Sequence, residues 1–216
     1  MHFSNDDVFL TKVEKSHDPR MSEIMHIYRT SFPENERQSD ETIVQRQQTN
    51  LNEIFVLENS IKEIYGIALL FPITRSDYIL LDYLAIKESF KQFGFGSFLF
   101  QRIKDYVFQQ NKKLIIEVEK PSGDQREEQE KRIKFYVKNG AKLLKDIDYY
   151  LPSINGQKNV EMNLMICQDL DDTSIEGALL IELITKIYNQ VYQKDNNDEL
   201  LISILNDIPK IVTFKI

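Results

Sequence analysis

Lys91-Gln92-Phe93-Gly94-Phe95-Gly96-Ser97 holds two of the seven glycines in a 216-residue chain. It follows the apolar run "DYILLDYLAI" at 77–86 and leads into "FGSFLFQRIKDYVFQQ", where Phe98, Leu99, Ile103 and Val107 fall near helical spacing. A strand-to-helix turn leaves the first backbone N–H groups of the helix unpaired, and together with the helix dipole they form an anion site. Glycine there lets the backbone take unusual angles and lets a bulky anion approach with no Cβ in the way. Lys91 adds a positive charge at the rim. The local chemistry reads as a phosphate or pyrophosphate cradle, with a plain tight turn as the bland alternative. No Lys-Ser/Thr pair follows, so it is not a Walker loop, and the third glycine of a dinucleotide fingerprint is missing. Carboxylates form the second group. Asp82 sits in the run at 77–86, and Glu117 and Glu119 sit in "KLIIEVEK" at 113–120. A period of two puts Glu117 and Glu119 on one face of that strand. An acid in so apolar a context faces either solvent or a site.

The composition narrows the function classes. The formal net charge of -7 weighs against nucleic acid and suits a cationic or amine partner, although mild acidity also serves solubility. The one cysteine, Cys167, rules out a disulfide within the chain and makes a thiolate zinc site implausible. His2, His17 and His26 lack metal-ligand spacing, so no metal is expected. "MHFSNDDVFL" lacks the basic and apolar regions of a signal peptide, and no apolar stretch is long enough to span a membrane. The expected compartment is the cytoplasm.

These candidates need elements to position them. "DVFLTKVE" at 7–14 reads as a strand. A helix is expected next, with Asp18 as cap, Pro19 at its first position, and Ile24, Ile27 and Tyr28 on one face. "FPENER" at 32–37 breaks it, and a second helix covers about 39–50 with Ser39 or Asp40 as cap. Runs at 53–58, 64–71 and 77–86 make an antiparallel meander. After the strand at 113–120, "DQREEQEKRIKFYVKNG" is a charged helix that turns amphipathic at Ile133, Phe135, Tyr136 and Val137, with Gly140 as its C-terminal cap. "AKLLKDIDYYL" and "NVEMNLMI" close the domain near 166. Beyond it, Thr173 and Glu176 have capping-box spacing for a helix striped by Ile175, Leu179, Leu183, Ile187 and Val191. "ELLISILNDI" adds one or two further turns. The order β-α-α-β-β-β-α-β-α-β-β is α+β, or mixed α/β.

In that order, Lys91 to Gly96 after "YLAI" resembles the acetyl-CoA signature of the GNAT superfamily of N-acetyltransferases, Arg/Gln-x-x-Gly-x-Gly/Ala after the fourth strand. "IIEVEKP" is similar to the family's fifth strand, "KRIKFYVKNG" at 131–140 to its next helix, and "IYRTSFPENER" at 27–37 to the first helix and loop of many bacterial members. The resemblance covers about residues 1–166, as an acetyltransferase domain with residues 167–216 as a C-terminal helical extension. It departs at Lys91, where Arg or Gln is usual. Lysine keeps the charge without a bidentate fork. The resemblance implies a central, mostly antiparallel twisted sheet flanked by helices, with acetyl-CoA as co-substrate. By position, the amides of Gln92, Phe93, Gly94, Phe95, Gly96 and Ser97 would hold the pyrophosphate. Leu84, Ala85 and Ile86 would pair with the pantetheine arm, and a fourth-strand amide would polarise the acetyl carbonyl. Direct attack by a neutral amine needs a base, for which Asp82, Glu117 and Glu119 are candidates, Asp82 and Glu117 foremost. Tyr136 matches the family's tyrosine that protonates the leaving thiolate; a core aromatic beside Phe135 is the bland account. Arg126, Lys131 and Arg132 read as a solvated charged face. The extension reads first as packing, on the domain or on a partner subunit.

The implied function is an acetyl-CoA-dependent N-acetyltransferase acting on a small-molecule or peptide amine. A non-catalytic acyl-CoA sensor or interaction module on the same fold is the alternative, and a scaffold that has lost the cofactor is a third. The acceptor is left open among polyamine, amino acid, aminoglycoside and protein amines. The assembly is left open too, with a homodimer as the default.

Overall fold

The computed structural model describes residues 8–154, 156, 158–168 and 172–215. Asp7 and His2 therefore lie outside the described residues. The chain forms two compact units, residues 8–72 with 81–110, and residues 73–80 with 111–215.

In the first unit, β1 (Val8–Val13) pairs antiparallel with β2 (Glu53–Asn59), and β2 with β3 (Ile64–Pro72). Residues 81–86 of β4 (Tyr78–Ile86) belong here as well. Two helices, α1 (Met21–Ser31) and α2 (Asp40–Gln48), contribute Ile24, Ile27, Tyr28 and Ile43 to a core with Ile54, Val56, Ile67, Leu69, Tyr83 and Ala85. Ser39 caps α2 as expected, its Oγ accepting from the Thr42 N–H at 3.2 Å. Asp18 does not cap α1. The helix starts at Met21 with Arg20 as N-cap, and Asp18 instead accepts the Arg20 backbone N–H at 2.9 Å and its guanidinium at 2.8 and 2.7 Å. Arg20 also donates to fully buried Glu58 at 2.9 Å. The turn before α1 is thus stitched by a fork rather than by a cap.

The Arg20 fork lowers the Asp18 carboxyl to about 2. A depressed folded value means stability that is present above about pH 4 and lost as pH falls toward 2. Asp18→Asn is expected to destabilise the protein by about 1 kcal/mol at pH 7, since the pair is partly exposed. Urea unfolding at pH 7 and at pH 2 should show that difference closing at the lower value.

In the second unit, β8 (Val160–Cys167) pairs antiparallel with β5 (Lys113–Glu119), β6 (Lys142–Leu144) and β7 (Tyr149–Leu151). The strand expected over 141–151 is therefore two short strands, broken where Asp146 takes a φ of 55°. Helix α4 (Arg126–Lys138) ends as expected. Gly140 has a φ of 93°, its N–H reaches the Val137 carbonyl at 3.0 Å, and the Ala141 N–H reaches that of Tyr136 at 3.0 Å. This is a Schellman pair, and it fixes the last turn that carries Tyr136. The α4 stripe is narrower than expected, with Tyr136 buried and Val137 exposed.

The extension departs furthest from expectation. Residues 174–176 are a strand, β9 (Ser174–Glu176), and no side-chain cap bond starts α5 (Gly177–Gln190). The capping-box reading of Thr173 and Glu176 is therefore corrected: pairing with β10 (Ile211–Lys215) holds Ser174 to Glu176 extended, and the Thr173 carbonyl accepts the Phe214 N–H at 3.1 Å. Because α5 starts later, its buried stripe runs through Leu180, Leu183, Ile184, Ile187 and Tyr188, while Leu179 is exposed. α6 (Glu199–Asn206) follows, capped by Asp198, whose Oδ1 accepts from the Leu201 N–H at 3.0 Å. β10 also pairs with β6, so the extension adds strands to the sheet as well as helices. Among the described residues no helix is long and apolar enough to cross a membrane.

Candidate active site

The Lys91–Ser97 loop is held from below by β3. Ile64 opposes Glu58 and Gly66 opposes Leu57, so Tyr65 is the extra residue of a bulge. Its carbonyl accepts the Lys87 N–H at 2.9 Å, and its ring packs on Phe90 and Phe95 with centroids at 4.4 and 4.8 Å. At Gly66, a Cβ would lie 2.7 Å from the Ala85 carbonyl oxygen and 2.5 Å from Ile86 Cδ1. One β3 dipeptide therefore locates both the end of β4 and the first residue of α3 (Phe95–Gln109).

The loop itself takes left-handed angles at Gln92, with a φ of 71°, and at Gly94, with a φ of 85°. Gly94 is the N-cap of α3, and the space where its Cβ would stand is open. No acidic residue occupies the first turn of α3, whose end therefore keeps its full positive character. Phe95 is a core ring, so only its backbone is available to a ligand, whereas the Phe93 ring is exposed. Lys91 is ion-paired to Glu88 at 2.5 Å on an exposed surface.

The carboxylates separate by partner. Asp82 and Arg46 of α2 form a buried pair, Nη1 to Oδ2 3.4 Å. Burial pushes the Asp82 carboxyl up to about 6, against the pull of Arg46. Next to it, Tyr83 Oη accepts the Gln38 N–H at 3.0 Å, and the Tyr28 and Tyr83 rings meet edge to face at 4.7 Å. In the second unit, Glu117 accepts hydrogen bonds from the hydroxyls of Tyr149 on β7 and of Tyr192, just beyond α5. Glu119 is buried and ion-paired with Arg132 of α4. Glu117 and Glu119 have the same strand parity, yet Glu117 meets two tyrosine hydroxyls and Glu119 an arginine. Tyr136 is buried near Arg132, Glu119 and Cys167, and burial raises its hydroxyl far above the ordinary tyrosine value. Arg126 and Lys131 pair with Glu130 and Glu128 on the surface, as expected of a solvated face. Among the described residues no group of His, Cys, Asp and Glu could hold a metal ion.

Sequence reasoning missed Arg46, Tyr149 and Tyr192. Each lies far along the chain from its carboxylate, 36, 32 and 75 residues away, where no local periodicity connects them.

The sequence profile of the acetyltransferase (GNAT) family matches residues 21–141, more than half of the chain. The chain belongs to the GNAT acetyltransferase family. No curated protein matches it. The fold of this GNAT chain is similar to solved members at low identity. A GNAT-family protein from Bacteroides thetaiotaomicron superposes with a TM-score of 0.71 at 18% identity, covering 87% of this chain and 99% of that one. That is a larger share than residues 1–166 make up, so the likeness reaches into the extension. The spermidine N-acetyltransferase of Vibrio cholerae, solved with CoA and spermine, gives 0.56 at 20% identity over 75% of this chain and 95% of that one. A GNAT acetyltransferase of Elizabethkingia anophelis with acetyl-CoA bound gives 0.54 at 18% identity over 76% and 100%.

Proposed function

We propose that this GNAT chain is an acetyl-CoA-dependent N-acetyltransferase that passes an acetyl group directly to an amine of an unidentified acceptor. The observation that carries the reading is the Gly94 turn: left-handed, open on its outer side, and leading into a helix with no acid in its first turn. These residues fit an acyl-CoA pyrophosphate. The backbone N–H groups of Gln92 to Ser97 would take its charge, and Leu84, Ala85 and Ile86 would pair with the pantetheine arm. Lys91, engaged with Glu88, adds less than its charge suggests.

Acetyl-CoA supplies the activated acetyl group as a thioester. This chain's side chains manage the protons. Asp82 is the favoured base, because a carboxyl near 6 is ionised at neutral pH yet basic enough to accept a proton from an ammonium through water. Glu117 is less suited, because tyrosine hydroxyls already occupy both of its oxygens. Tyr136, kept protonated by burial, would return a proton to the CoA thiolate. The acidic balance and the spermidine enzyme among the structural neighbours favour a cationic acceptor.

Calorimetric titration of acetyl-CoA tests the cradle. Gly94→Glu places a carboxylate at the α3 N-terminus and is expected to weaken binding at least about tenfold. Unchanged binding in that variant would remove the cradle from the argument. Release of CoA thiol should then be screened with polyamine, amino acid, aminoglycoside and peptide amines, alongside Tyr136→Phe. Tight binding without turnover on any amine would make the chain an acyl-CoA sensor.

A further inference from the structure

We propose that Arg46 is a positioning residue for the transfer reaction: its guanidinium, seated over Phe71, orients the Asp82 carboxylate and holds it charged. The inference rests on the reading of Asp82 as the base.

The geometry is specific. Arg46 is the basic residue in the last turn of α2, and its own carbonyl accepts the Leu51 N–H at 2.7 Å and the Asn52 N–H at 3.4 Å. Its backbone is therefore fixed where α2 ends. From there the side chain runs inward, with both it and Asp82 about 5% exposed. The guanidinium carbon sits 5.3 Å from the Phe71 ring centroid, a cation–π contact that a flat, delocalised cation makes best. Arg46 Nη1 then faces Asp82 Oδ2 at 3.4 Å. Burying such a pair brings little net stability compared with an apolar pair of equal volume, so stability alone is a weak reason for it. A charge held beside a buried carboxylate does have one consistent chemical effect: it keeps that carboxylate ionised at a pH where burial would otherwise neutralise it.

The other groups set against Asp82 do not compete for this role. Tyr28 of α1 and Tyr83 of β4 both feel its charge, and burial holds both hydroxyls protonated far above neutral pH. Arg37 acts on Tyr28. Arg46 is the cation whose charge lowers the Asp82 carboxyl against burial.

The test uses the full chain with 13C-carboxyl-labelled aspartate. The Asp82 resonance is assigned by its loss in Asp82→Asn. In the wild type it should titrate near pH 6; in Arg46→Met it should titrate at least about one pH unit higher. Arg46→Lys keeps the charge but loses the flat guanidinium contact with the Phe71 ring. Its titration should stay near the wild type while kcat falls several-fold. The kinetic arm measures CoA thiol release from acetyl-CoA with spermidine as the probe amine. Its acid limb should follow the carboxyl in each variant, which a purely structural Arg46 would not cause. An Asp82 titration unmoved in folded Arg46→Met overturns the proposal. Should that variant not fold, an Arg46→Lys protein with wild-type kcat overturns it instead. A carboxyl that moves while the acid limb stays put removes Asp82 as base, and a fully active Asp82→Asn would show that failure independently of Arg46.

Discussion

Gly177→Ala is expected to destabilise the protein by about 3 kcal/mol or more, with a fall in Tm of about 10 °C, as an overpacked backbone contact in a chain of this size should. Gly177 opens α5, and its N–H donates to the Lys210 carbonyl at 2.7 Å. A Cβ there would stand 2.0 Å from the Pro209 carbonyl oxygen, 3.0 Å from its carbon and 3.2 Å from the Lys210 carbonyl carbon. All three are backbone atoms, so no side chain can swing aside. The same backbone leads directly into β10, which pairs with both β9 and β6. Relief must therefore come from moving β10 or from withdrawing α5 with its buried Leu180, Leu183, Ile184 and Ile187. Gly123→Ala is the control. Gly123 has a φ of 56° but open space around its Cβ position, so only the left-handed strain of about 1 kcal/mol applies. Denaturant unfolding of both variants decides the matter, and equal losses would sink the argument from Pro209.

This contact also shows where sequence reasoning stops. The spacing of Thr173 and Glu176 is that of a helix start, and locally nothing contradicts it. What overrides it is Ile211, Val212 and Thr213 pairing with Glu176, Ile175 and Ser174 from some 35 residues downstream, a tertiary choice that local propensity does not encode. Val212 and Phe214 alternate with exposed neighbours as a strand should, but a run of only five residues carries a weak pattern. Much of the region before 167 was legible because its signals are local, although Asp18 does not cap α1 and the strand expected over 141–151 is two. The Gly140 cap and the Gly94 turn are each written in a few adjacent residues, and the antiparallel β2–β3 pair in two runs separated by a short turn. The candidate carboxylates were legible only as residues out of place in apolar strands. That Asp82 faces an arginine, Glu117 two tyrosines and Glu119 another arginine depends on packing partners from separate elements. Those partners, rather than the carboxylates themselves, divide the three roles.

Asp82→Asn is expected to lower kcat/KM by about 10²- to 10⁴-fold, the range for removing a positioned base, and to abolish the acid limb near pH 6. It should also change how stability depends on pH, with a sign opposite to that of Asp18. The Asp82 carboxyl stands near 6 in the folded chain and near 3.8 unfolded, so between these values the folded state binds more protons. The stabilisation is complete below about pH 4 and is lost as pH rises through 6, a change of about 3 kcal/mol at most. Wild-type protein should thus lose stability from this group between pH 4 and 6, where an ordinary paired carboxylate would gain it, and Asp82→Asn should flatten that slope. Urea unfolding at pH 4.5 and 7.5, beside the pH–rate profile, reads both effects in one pair of proteins. Glu117→Gln is the comparison: it leaves Asp82 and Arg46 untouched, so the acid limb should stay where it is. If Glu117→Gln erased the limb and Asp82→Asn preserved it, the base would be the carboxylate bracketed by Tyr149 and Tyr192. The buried Arg46–Asp82 pair would then be only a strut between α2 and β4.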